Sequence, residues 1–270
     1  MQHKKFILGR KTNSQDFDKY LYEHKASQYF SLPIEKLINL TGKNGISHLH
    51  TPPFDYFYQQ IQNLIHKDLS VLEIGAGIGR HSGVILNTGA KLTVNDISAK
   101  SLEVLKKTHP SVNSLIIGDM SDLPLKSKSF DAIVSCGSLS YADPKLLDKE
   151  IFRLLKDGGL LIVCDSLNHN LIYRMNRFIK YILGKRSLSS ALRIPDIDRI
   201  ESLSLPFNQT RIKFFGSYLW IVNLSKFFLG NKISYKLNSW LEINLPSGKN
   251  GFKFILVCQG FSSSSVVKIK

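Results

Sequence analysis

Val71-Leu72-Glu73-Ile74-Gly75-Ala76-Gly77-Ile78-Gly79-Arg80 is the stretch that decides the architecture of this chain. An apolar run from Ser70 to Ile74 stops in a series of glycines at alternate positions. Glycines at the end of a buried strand let the backbone turn tightly and bring a ligand against N–H groups at the start of the next helix. The spacing separates this loop from its look-alikes. A dinucleotide-binding turn needs its third glycine at position 80, which is Arg80, and the third glycine stands at 79 instead. A phosphate loop of the Walker type is excluded because no Gly-Lys-Ser/Thr follows.

Outward from this turn the chain alternates. Lys91 to Val94, Leu115 to Ile117, Phe130 to Ser135 and Leu160 to Cys164 read as further strands with near-continuous apolar runs. Ser98 is placed to cap a helix that stops before Pro110. Asp143-Pro144 opens another, with Leu147, Ile151, Leu154 and Leu155 on one face and Gly158 closing it. Upstream, Phe54, Phe57, Tyr58, Ile61, Leu64 and Ile65 follow helical spacing after a break at Thr51-Pro52-Pro53. The pattern predicts an α/β fold, a parallel sheet covered by helices on both faces. Beyond Asp165 the rhythm changes: a basic amphipathic helix from Leu171 to Leu183, then strands at Arg211 to Phe215 and Phe252 to Cys258. The expected organisation is an N-terminal helical extension over 1–53, a core over 54–165, a basic lid or substrate-recognition insertion over 166–210 and a completion of the sheet over 211–261.

Composition narrows the class. The 270 residues are 43% hydrophobic and 21% charged, as in a globular protein, and no apolar run approaches the ~20 residues that span a bilayer. Cys136, Cys164 and Cys258 are far apart in apolar segments, which fits buried free thiols and neither a disulfide framework nor zinc spacing. A cytoplasmic location follows as the expectation. The net charge of +15 is unevenly spread: residues 70–165 balance 11 basic against 11 acidic side chains, whereas 166–270 carry 16 basic and 4 acidic. A phosphate-bearing substrate, a nucleic acid, a membrane surface or a plain solvated face would each account for that excess.

Two acids extend the glycine site. Asp96 ends the second strand, where a carboxylate can accept hydrogen bonds from both ribose hydroxyls of an adenosine ligand. Asp119 ends the third, placed to accept from an adenine amine while Met120 packs on the ring, or to cap a strand-end turn.

With these residues in place, the chain from about 54 to 165 resembles the class I S-adenosylmethionine-dependent methyltransferases of the small-molecule type. The resemblance rests on Glu73 to Gly79, Asp96, Asp119-Met120, the fourth-strand run Phe130 to Cys136 and the stretch Glu150 to Gly159, where Asp157 replaces the family's usual proline. It implies a Rossmann-like sheet of seven strands, the last antiparallel. It implies S-adenosylmethionine as cofactor, held by Glu73, Gly75, Ala76, Gly77, Gly79, Asp96, Ile97, Asp119, Met120 and Ser135, with no metal. A second, shorter likeness links His169-Asn170 through Arg177 to methyltransferases of bacterial polysaccharide and glycan gene clusters. It implies a saccharide hydroxyl as acceptor and polysaccharide biosynthesis as the setting.

A hydroxyl acceptor calls for a general base. His169, after the fifth strand, and Tyr141, after the fourth, are the candidates, with Asp143 beside them; a loop histidine with a local hydrogen bond is the plainer reading of His169. The helix at 171–186 could rest on an anionic membrane face as a peripheral contact, or pack as a lid. Two rivals remain: a nucleic-acid methyltransferase and a cofactor-binding scaffold without catalysis. Against the first, Ser135-Cys136-Gly137-Ser138 lacks the Asn/Asp-Pro-Pro-aromatic motif of base-amine methylation. Against the second, the glycine turn and both acids are intact.

Overall fold

The computed structural model describes residues 14–41 and 51–266. Helices α1 (Ser14–Phe30), α2 (Ile34–Ile38) and α3 (Thr51–Leu64) precede the first strand. Then follow β1 (Ser70–Ile74), α4 (Ser82–Leu86), β2 (Lys91–Asp96), α5 (Ala99–Thr108), β3 (Ser114–Ile117), β4 (Phe130–Cys136), α6 (Pro144–Leu154) and β5 (Leu155–Ser166). The C-terminal part adds α7 (Leu171–Ile182), α8 (Leu188–Leu192), α9 (Ile197–Ser204), β6 (Phe207–Phe215), α10 (Leu219–Asn244), β7 (Lys253–Phe261) and α11 (Ser263–Val266).

The strands form one seven-stranded sheet in the order β3-β2-β1-β4-β5-β7-β6. Strands β1 to β5 pair in parallel; β7 enters between β5 and β6 and is antiparallel to both. This is the Rossmann-like sheet of class I methyltransferases, with its antiparallel last strand. Alternate residues feed opposite cores, as a pleat requires. Val71, Leu92, Val94, Ala132, Val134 and Ile162 pack under Phe57 and Ile61 of α3. Leu72, Ile74, Ile133, Leu161 and Val163 pack against Leu147, Ile151 and Leu154 of α6 and Ile200 and Leu203 of α9. The order reverses between β1 and β4, so the crevice for a ligand opens at their carboxyl ends.

Local signals behave as their chemistry dictates. Ser98 Oγ accepts from Ser101 N–H, and Asp143 accepts from Lys145 N–H and Leu146 N–H with Pro144 at the first helical position. Several boundaries differ from the sequence reading, among them the end of α6, which stops at Leu154 and not at Gly158. Thr51-Pro52-Pro53 opens α3 instead of breaking the chain, because first-turn N–H groups have no helical acceptor and proline costs nothing there. The fifth strand starts at Leu155, directly after α6, and the sixth at Phe207, four residues before Arg211.

Candidate functional site

At that crevice lies a cavity of about 320 Å³. Its floor is the glycine turn. Gly75 has φ +64°, and a Cβ built there would sit 2.3 Å from Ser138 Cβ, so the tight approach of β1 to the β4 loop needs glycine. Gly77 has φ +57°, but nothing of the protein lies within 4 Å of where its Cβ would be. The space above this part of the turn is open. Gly77 N–H donates to Asp96 Oδ2 at 2.8 Å, and Ser98 N–H donates to Oδ1 at 2.9 Å. Burial pushes the Asp96 carboxyl up while these N–H groups pull it back down. Asn95 Nδ2 donates to the carbonyls of Ile116 and Gly118, at 3.0 Å each, and ties the end of β2 to the turn carrying Asp119.

Gly75, Ala76, Gly77, Asp96, Ile97, Asp119 and Met120 all line this cavity. Three of the predicted contacts do not. Glu73 is buried beneath the turn and accepts from Ser82 Oγ at 2.5 Å; burial pushes its carboxyl up to about 7. Gly79 faces α5, where a Cβ would meet Leu105 Cγ at 2.6 Å, so it serves helix packing. Ser135 is fully buried within β4 and shares a hydrogen bond of 2.6 Å with Ser138 Oγ, so it positions a cavity residue without lining the cavity itself. Asp119 lines the cavity and also caps its own turn, accepting from Ser121 N–H at 2.9 Å.

The roof comes from helix α1, which the sequence reading left without a role. Gln15, Asp18, Tyr22, Lys25, Ala26 and Tyr29 line the cavity. Gln15 Nε2 donates to Asp119 Oδ2 at 2.5 Å, and Tyr22 donates to Tyr141 Oη at 2.7 Å. Asp18 accepts from Ser187 Oγ at 2.6 Å and from Ser187 N–H at 3.3 Å, which pins α1 to the start of α8. These residues recur at helical spacing, so the face was present in the sequence; being polar, it left no hydrophobic stripe to find.

The walls add Phe54, Arg80, His81, Cys136 and Lys253. His81 is buried beside Tyr58, with Nδ1 2.8 Å from the phenol oxygen, and its ring stacks on Phe54. Burial drives its pKa down to about 3, so it is neutral at physiological pH.

Of the two candidate bases, Tyr141 lines the cavity and His169 does not. After β5 the chain turns along the sheet's edge, with Leu167 N–H donating to Phe252 O and Asn168 N–H to Pro195 O; His169 is left exposed on the outside. Burial holds the phenols of Tyr141 and Tyr22 above their ordinary range, so both stay protonated at neutral pH and act as donors. Asp143 caps α6 and faces Arg193 at 3.7 Å. No residue of the basic segment 166–210 lines the cavity. Its part is indirect: the Arg186 guanidinium lies 5.3 Å from the centre of the Tyr141 ring and donates to Ser140 Oγ.

Residues 72–163 match the family of methyltransferase domains. This segment is a methyltransferase domain. The domain is 29% identical over 114 residues to demethylmenaquinone methyltransferase of Paenarthrobacter aurescens (strain TC1), covering 42% of this chain and 45% of that protein. It is 35% identical over 101 residues to 2-methyl-6-phytyl-1,4-hydroquinone methyltransferase 1 of Oryza sativa subsp. japonica, covering 36% and 31%. The chain thus spans less than half the length of these curated relatives. Among solved structures, phosphoethanolamine N-methyltransferase 2 of Haemonchus contortus with S-adenosyl-L-methionine superposes with a TM-score of 0.53 at 14% identity, covering 84% of this chain and 60% of that one. The possible histamine N-methyltransferase of Thermotoga maritima superposes with a TM-score of 0.52 at 17% identity, covering 89% and 99%. The structural likenesses show the shared fold.

Proposed function

We propose that the chain transfers a methyl group from S-adenosylmethionine to a small-molecule acceptor. One observation carries the proposal: the turn Gly75 to Gly77, Asp96 and Asp119-Met120, from three separate strand ends, line the same cavity. Asp96 would accept from the ribose hydroxyls, Met120 and Ile97 would flank the adenine, and the open space over Gly77 would take the nucleoside. The sulfonium supplies a methyl group open to in-line displacement. The chain's own residues then have to hold the acceptor collinear with that group and keep water out. Helix α1 covers the cavity for the second task, and the phenol of Tyr141, which accepts from Tyr22, would orient the acceptor by donating its own hydrogen bond.

For the acceptor we infer a saccharide hydroxyl, whose proton would pass to the Asp18 carboxylate as the methyl group arrives, supported by the mixture of polar Asp18, Lys25 and Lys253 with aromatic Tyr29 and Phe54 in the lining. A lipid quinol is the second reading, favoured by the identity shared with the two quinone-type enzymes. Calorimetry with S-adenosylmethionine and S-adenosylhomocysteine tests the cofactor site. Wild type is expected to bind with a Kd of about 1–100 µM, roughly 5.5–8 kcal/mol, and Asp96→Ala to lose that binding. A folded wild type that binds neither ligand would sink the proposal. Turnover on a saccharide panel set beside a demethylated quinol then separates the two acceptors.

A further inference from the structure

Helix α7 is built inside out. Its inward face holds Tyr173, whose hydroxyl donates to Gly216 O at 2.6 Å, and Arg177, whose guanidinium donates to Leu167 O at 2.6 Å. Its apolar side chains, Met175, Phe178 and Ile182 among them, face outward and are exposed. A helix resting on a protein core in water carries the reverse arrangement.

A second surface of this kind lies between β6 and β7. The helical segment α10 is a hairpin, bent at Gly230, where φ is 70° and ψ is 172°. Ser225 Oγ and Ser234 Oγ lie 2.8 Å apart, whereas nine residues of straight helix span about 13 Å. Leu219 and Val222 of the first arm pack with Leu237 and Leu241 of the second. Phe228, beside the bend, is 87% exposed, and Ile243 on the second arm is 80% exposed. Tyr173 of α7 packs into the same cluster as Leu219 and Val222, so the two elements are neighbours. Scattered apolar side chains on a surface are ordinary; runs of them on adjoining helices mark a contact site.

Charge indicates what covers them. Arg174, Lys180 and Lys185, on α7 and just beyond it, are exposed with no acid between Ser166 and Pro195, and the hairpin carries Lys226, Lys232 and Lys236. Its single acid, Glu242, turns inward and accepts from Gly216 N–H at 2.7 Å. A second copy of this chain would bring like charges together. A nucleic acid would meet the lysines but leave the apolar side chains against its phosphates. A bilayer with anionic headgroups satisfies both, with the apolar groups in the interface and the lysines at headgroup level. Among the described residues no helix is long and apolar enough to cross a membrane, so the contact lies in the plane of one leaflet. We propose that α7 and the α10 hairpin together form a face that docks on an anionic lipid bilayer.

The test is co-sedimentation of the full chain with phosphatidylcholine vesicles, with and without phosphatidylglycerol, across a salt series. Binding to the anionic vesicles that weakens with salt is expected. Phe178→Ser and Phe228→Ser should each reduce partitioning roughly tenfold, and Lys180→Ala and Lys232→Ala about fivefold each. All four positions are exposed, and unchanged thermal melts would show that the variants fold. Equal binding to both vesicle types at all salts would overturn the proposal. So would the absence of sedimentation, whether light scattering finds a dimer that Phe228→Ser dissolves or an RNA probe binds at the same lysines.

Discussion

On the floor of the cavity the ligand-facing groups are placed by backbone turns and near neighbours: Ser98 N–H reaches Asp96 across two positions, and Gly77 N–H reaches it across nineteen. On the roof they are placed by side chains that meet across long stretches of the chain. Gln15 meets Asp119 over 104 positions, Tyr22 meets Tyr141 over 119, and Ser187 meets Asp18 over 169. The floor is thus part of the sheet and forms when the sheet forms. The roof is a helix held by a few polar contacts, the class of element that opens locally at a fraction of the global stability.

Breaking the floor should give the largest effect. Gly75→Ala combines left-handed strain with the clash on Ser138, and is expected to cost about 4 kcal/mol by urea denaturation. Gly77→Ala carries the same backbone strain over open space and should cost only about 1–2 kcal/mol. Equal losses would show that the close approach to Ser138 is unimportant.

The floor also carries a buried charge whose cost depends on pH. Because the folded pKa of Glu73 is raised to about 7, its contribution is fully present below about 4.5 and is lost as pH rises through 7. Glu73→Gln should therefore gain on wild type by about 3 kcal/mol between those limits, read as the difference between two stability–pH curves. Parallel curves would contradict the assigned burial.

Freeing the roof is expected to cost less and to stay local. Asp18→Ala removes the acceptor for both Ser187 donors, at about 2 kcal/mol. Hydrogen exchange should show residues 14–30 losing protection while β1 and β4 keep theirs; a uniform loss would mean that floor and roof form one unit. Tyr22→Phe deletes one hydrogen bond between roof and wall and should cost about 1 kcal/mol, visible as a small drop in Tm.

The strands and helices from Ser70 to Ser166 were legible because each carries its own signal. Apolar runs give the strands, Ser98 and Asp143 cap helices through their own side chains, and the glycine spacing marks the turn. The same locality explains why Gly75, Gly77, Asp96 and Asp119 could be assigned to one site. Glu73, Gly79 and Ser135 belong to the same motifs yet face away from the cavity. Which way a side chain points depends on the layer packed behind it: Ser82 for Glu73, Leu105 for Gly79 and Ser138 for Ser135.

By itself, then, the sequence determined the sheet, its glycine turn and the pair of acids, since strand burial, turn conformation and capping are decided within a few residues. Only the tertiary structure decided that α1 covers the cavity, that His169 faces outward and that α7 turns its apolar side to the surface. Those outcomes depend on partners that meet across long stretches of chain, such as Asp18 with Ser187 and Arg177 with Leu167 and Phe252. A polar helix face leaves no hydrophobic period in the sequence, and hydropathy alone does not say which side of an amphipathic helix meets the core.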